Sequence, residues 1–148
     1  MTKGEMGRND DMTTSGLMRV LKDSPEQFRQ DYVSPSVKGM TFKGFLMEIM
    51  EKQGTNASTL IKTANISKTY LYQFLNGERL PGRNMALRVA FAMRLSVDET
   101  QTLLTLAKGG VLYPKVRRDA ALLYCLQKKM DIAETDAYLA ELGEETIL

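Results

Sequence analysis

The apolar positions of this chain recur at helical spacing, and period-two alternation is almost absent. Phe42, Phe45, Leu46, Ile49 and Met50 fall at i, i+3, i+4, i+7 and i+8, a one-sided stripe. Thr41 stands at its N-cap position, and Gly54 ends it. The next helix starts at Thr55 or Asn56 and buries Leu60, Ile61 and Ala64. It stops at Asn65, a residue that tolerates positive φ better than most. Ile66 turns inward and Ser67 caps a following helix whose seam is Leu71, Phe74 and Leu75. Asn76-Gly77 closes that helix and Pro81 prevents its extension.

Further helices are expected over Arg83–Leu95, from the Ser96/Glu99 capping box to Ala107, over Arg118–Lys129 and over Ala133–Leu142. Gly109-Gly110 and Tyr113-Pro114 break the chain between them. Upstream, residues 1–14 are polar and aperiodic, the pattern of a disordered tail. Ser15 to Leu21 can begin a short helix, and Ser24-Pro25-Glu26 is a helix start running to about Tyr32. The expected fold class is all-α. Three segments follow: 1–37, a polar tail with a short helical segment; 38–108, the main helical domain; and 109–148, a C-terminal helical hairpin.

At an offset of 35, Arg83, Ala86, Leu87, Glu99, Thr100 and Leu104 match Arg118, Ala121, Leu122, Glu134, Thr135 and Leu139. These identities suggest two stacked helical hairpins, or two amphipathic hairpins with convergent caps. Two copies are too few for a solenoid.

Composition narrows the chemistry. The chain has no histidine and one cysteine, Cys125, inside the apolar run AALLYCL. A zinc or haem site, an internal disulfide and histidine-dependent catalysis are therefore not expected, and Cys125 reads as a buried thiol. No Walker or dinucleotide-binding sequence occurs. Catalytic residues, metal and cofactor are all expected to be none. No apolar run is long enough for a membrane span, and no signal peptide is visible, so a cytoplasmic location is expected. The net charge is +2, but residues 38–94 hold nine basic and three acidic groups. That excess lies on the segment with the helix–turn–helix spacing, as phosphate binding would need.

A DNA-reading helix presents its first residues and one outward stripe to base edges. In the helix 67–76 those positions are Lys68, Thr69, Tyr72 and Gln73. Lys donates to guanine, Gln pairs bidentately with adenine, and Thr suits a thymine methyl or a phosphate. Phosphate contacts are expected from the helix starts, Asn56, Ser58 and Ser67, and from Arg79 and Arg83 on the flank. Tyr70 either reaches a phosphate or packs on a neighbouring helix.

Gly54, Leu60, the turn Asn65-Ile66-Ser67, Leu71, Asn76-Gly77, Arg79 and Pro81 together resemble the phage-repressor-like helix-turn-helix family (Cro/XRE). The resemblance covers residues 42–107. It implies a lambda-repressor-like five-helix domain, here with an N-terminal helical segment and the C-terminal hairpin as extensions. It also implies base reading by Lys68, Thr69 and Gln73, with Asn56 where a phosphate-holding Gln often stands. Ile61 replaces a small residue of the family pattern, Asn65 a turn Gly, and Leu75 an acidic residue. The expected function is a sequence-specific transcription regulator, a repressor, binding double-stranded DNA as a homodimer, with no membrane partner and with the C-terminal hairpin open to a protein partner. The alternative is a protein-interaction adaptor on the same fold, using Tyr70, Tyr72 and Leu75.

Overall fold

The computed structural model describes residues 39–148. The expected tail over 1–14 and the expected helices at Ser15–Leu21 and Ser24–Tyr32 lie outside these residues. The described residues form seven helices and no strands: α1 (Phe42–Gln53), α2 (Ala57–Ala64), α3 (Lys68–Leu75), α4 (Arg83–Ala92), α5 (Val97–Leu106), α6 (Arg117–Gln127) and α7 (Ile132–Glu141). Over the described residues the fold is all-α, as the periodicity predicts. None of these helices is long and apolar enough to cross a membrane.

One local device joins four of the helix pairs. Gly54, Asn65, Arg94 and Lys129 each adopt left-handed backbone, with φ of 69°, 54°, 53° and 57°. The next residue in each case, Thr55, Ile66, Leu95 or Met130, returns its N–H to a carbonyl five residues back. The residue after that is an N-cap: Asn56, Ser67, Ser96 and Asp131 each accept a hydrogen bond from the backbone N–H three positions on. Orphan groups of both helix ends are thus satisfied within a few residues. Ser96 and Asp131 complete full capping boxes with Glu99 and Glu134.

The left-handed residues also explain where the expected boundaries move. The helix expected to reach Leu95 ends at Ala92, because Arg94 reverses the chain and Leu95 N–H goes back to Ala90 O. The helix expected to reach Lys129 ends at Gln127 for the same reason. The last helix begins one residue early, at Ile132, under the cap from Asp131.

The offset of 35 is a repeat of structure as well as of sequence. Arg83 Nε donates to Gly110 O and Arg118 Nε to Glu145 O. Arg83 Nη2 donates to Val111 O and Arg118 Nη2 to Thr146 O. Leu112 N–H donates to the Gln101 side-chain oxygen, and Ile147 N–H to the Asp136 carboxylate, each at 2.8 Å. The hairpins α4–α5 and α6–α7 are therefore two copies of one unit. Contacts between them are reciprocal. Arg83 pairs with Asp119, Arg118 donates to Asn84, which is the position equivalent to Asp119, and α4 packs on α7 as α5 packs on α6. Arg94 Nη1 donates to the carbonyl of its own counterpart, Lys129, at 2.7 Å. Reciprocity of this kind belongs to isologous pairs, not to the repeated steps of a solenoid.

A single buried cluster runs from Phe42 and Leu46 through Leu71, Phe74 and Leu87 to Leu122, Leu139 and Ile147. The expected boundary at 108/109 thus lies inside one continuous core. Gln101, fully buried, holds the following loop by donating to Leu112 O and accepting from Leu112 N–H. Cys125 is buried, as expected. Desolvation by burial pushes its thiol pKa above the ordinary value, and the neighbouring Thr135 side chain opposes that shift in part.

Candidate nucleic-acid interface

The helix α3 packs against α1 and α2, which leaves its remaining side open. Its inner seam is Leu71 and Phe74, both buried, with Leu75 half-buried. Phe74 meets Phe42 of α1 edge-on, with ring centroids 6.2 Å apart. The turn before α3 is fixed from the far side: Arg88 of α4 donates to Asn65 O at 2.9 Å. The outward face therefore stands on a packed scaffold.

Lys68, Thr69 and Tyr72 are exposed on that face, Tyr72 to 43 %, and Asn76 follows one turn on. Gln73 is placed differently. It is half-buried, and its side-chain oxygen is enclosed without a hydrogen-bond partner. Bidentate pairing with a base would require this side chain to rotate outward.

The expected phosphate-binding residues divide into two groups. Asn56, Ser58 and Ser67 are exposed at the starts of α2 and α3. The Asn56 side-chain oxygen accepts from Thr59 N–H at 2.9 Å, and Ser67 Oγ accepts from Tyr70 N–H at 3.1 Å. Capping uses only their acceptor capacity, so the Asn56 amide and the Ser67 hydroxyl keep donors for an anion. Arg79 is exposed in the loop after α3, with its guanidinium 4.8 Å from the centroid of the Tyr70 ring. That ring stacks on Phe74 with centroids 6.3 Å apart. Tyr70 keeps 40 % exposure, with its ring against Phe74 of its own helix and beneath Arg79.

Arg83 is a correction. Its two terminal nitrogens donate to the Asp119 carboxylate at 3.1 and 2.9 Å, and it also donates to Gly110 O and Val111 O. A guanidinium held by a buried carboxylate and two carbonyls has no free donor fork for a phosphate. Arg83 leaves the phosphate set and becomes the strut between the two hairpins.

Sequence reasoning missed two features here. The Arg79–Tyr70–Phe74 stack depends on the course of the 76–82 loop, which no periodicity encodes. Lys43, Arg79 and Lys108, far apart in sequence, line one cavity. Among the described residues, no three His, Cys, Asp or Glu side chains come together to hold a metal ion. No family model, no curated protein and no solved structure matches the chain.

Proposed function

We propose that this chain is a sequence-specific DNA-binding transcription regulator, a repressor of the phage-repressor-like helix-turn-helix type, that lays α3 in the major groove. In this reading α1 to α5 are the five helices of a lambda-repressor-like domain. The observation that carries it is the open face of α3: Lys68, Thr69 and Tyr72 stand exposed together on a helix whose opposite side is locked into the core. The helix start and outward stripe are the parts of a recognition helix that meet base edges. Two exposed N-termini, those of α2 and α3, flank this face and suit phosphates. The local cation excess supplies counterion release, the salt-dependent part of the affinity.

Lys68 is assigned to guanine, Thr69 to a thymine methyl or phosphate, and Gln73, once rotated outward, to adenine. Asn56, Ser58, Ser67 and Arg79 position the duplex without reading it. One such helix covers too few base pairs for useful specificity, so the active form is a homodimer on a two-part site. Selection of bound sequences from random double-stranded DNA tests the proposal. A recurring two-part motif is expected, with affinity falling steeply as salt rises. The absence of any enriched motif would overturn it.

A second reading has its own support. Tyr70, Tyr72, Leu80 and Met47 are large apolar side chains with 40–49 % exposure. An adaptor would use such aromatic groups as anchors for a protein partner. Salt-insensitive capture of a protein, with no enriched DNA motif, would favour it.

A further inference from the structure

Beside the end of α3, a cavity of about 420 Å³ opens between α1, the 76–82 loop and the end of α5. Its size falls within the range of small-molecule sites, roughly 300–1,000 Å³. The apolar part of the lining comes from Met40, Phe42, Phe74, Leu80 and Leu106. Three cations complete it, Lys43, Arg79 and Lys108, and no acidic residue is among its described lining. All three are exposed, and none of them makes a salt bridge within the described residues. The hydroxyls of the lining are already engaged: Thr41 Oγ1 accepts from Gly44 N–H and Thr105 Oγ1 donates to Gln101 O. Arg79 also lies over the Tyr70 ring, but none of the three has an anionic partner among the described residues, so the cavity presents positive charge around an apolar floor.

We infer that this cavity binds a small amphipathic carboxylate, an organic acid with one anionic head and an apolar body. The head sits among Lys43, Arg79 and Lys108, where charge-assisted hydrogen bonds form, and the body covers Leu80 and Leu106. The charge pattern selects against neutral and cationic analogues of the same shape, because these leave the cations unmatched. Binding itself does not depend on the DNA reading. If that reading holds, Arg79 serves both ligands, and the acid acts as an effector that loosens the duplex.

The test uses the full chain and naphthoate as the probe, with naphthalenemethanol as its neutral counterpart, measured by titration calorimetry in the absence of DNA. Saturable one-to-one binding of naphthoate is expected, at least about tenfold tighter than the alcohol, with about tenfold loss in Lys43→Gln and in Lys108→Gln. Thermal melts of both variants check that they are folded. Equal affinity for acid and alcohol, or affinity unchanged in both variants, would overturn the inference. So would saturable binding of a glutamate-rich peptide without binding of naphthoate, which would assign the cationic rim to an acidic protein segment. DNA affinity, measured separately with and without naphthoate, tells failure of this site from failure of the proposed function.

Discussion

Arg83 and Asp119 lie 36 positions apart and meet through two parallel hydrogen bonds, at 3.1 and 2.9 Å. The carboxylate side chain is only 4 % exposed, against 28 % for the arginine, and it also accepts from Tyr113 N–H. Asp119→Ala removes the acceptor of three hydrogen bonds and leaves the half-buried Arg83 guanidinium with only the Gly110 and Val111 carbonyls. It should cost about 2–3 kcal/mol, less than a fully enclosed pair because Arg83 keeps some solvent. Urea unfolding of Asp119→Ala against the parent checks this, and Arg83→Lys should fail to restore the two-pronged geometry. A loss below about 1 kcal/mol would mean that the hairpins hold together without this strut.

The proposed reading helix separates two kinds of DNA effect. Lys68→Ala and Gln73→Ala should each weaken binding to the selected site by about 1–3 kcal/mol while sparing random DNA. Arg79→Ala should instead weaken all sequences alike and reduce the salt slope by about 0.9. In the folded protein, Arg83→Ala should leave that slope unchanged, since its guanidinium is already held by Asp119. Fluorescence anisotropy across a salt series reads all four. Unchanged affinity for the selected site in the Lys68→Ala, Gln73→Ala double variant would remove α3 from the interface.

Left-handed backbone at exposed non-glycine residues leaves room for stabilisation. Lys129 has φ of 57° and an exposed side chain. Lys129→Gly should stabilise by about 0.5–1 kcal/mol, as relief of backbone strain outweighs the added entropy of the unfolded chain. Asn65→Val, which puts a β-branched residue at φ of 54°, should cost roughly 1–2 kcal/mol. Melting temperatures of the two variants should move in opposite directions.

Cys125 provides a pH readout. Burial raises its thiol pKa in the folded state. In alkaline solution the unfolded chain therefore loses this proton before the folded chain does. The folded state then binds more protons, and stability falls as pH rises from the ordinary thiol pKa towards the raised folded value. Cys125→Ala should flatten that part of the stability curve. An aromatic disulfide reagent should label Cys125 slowly in native buffer and fully in denaturant; fast native labelling would contradict its burial.

Local chemistry made most of the helices legible. Thr41, Ser67 and Ser96 act within three residues of themselves, and Gly54 and Asn65 likewise satisfy only nearby backbone, so their identity marks helix ends directly. Arg94 and Lys129 carry no such mark, because any exposed residue can be forced left-handed when the next residue packs inward. The expected ends of the helices beside them therefore fall too late in the chain. The site was less legible. Exposure of Lys68, Thr69 and Tyr72 follows from the α3 seam. The capture of Arg83 by Asp119, the inward turn of Gln73 and the meeting of Lys43, Arg79 and Lys108 depend on distant segments, to which spacing along the chain is blind. The turn that first suggests DNA reading also occurs before α2, α5 and α7. The distinction of α3 lies in what its outer face leaves uncovered.

A contact between two chains weakens on dilution, whereas one between segments of a single chain does not. The hairpin α4–α5 meets its structural twin, α6–α7, inside the same polypeptide. That face is therefore closed at every protein concentration and withdrawn from assembly. A homodimeric regulator has to be built from another surface. The spacing of its two half-sites would then report the geometry of that second surface.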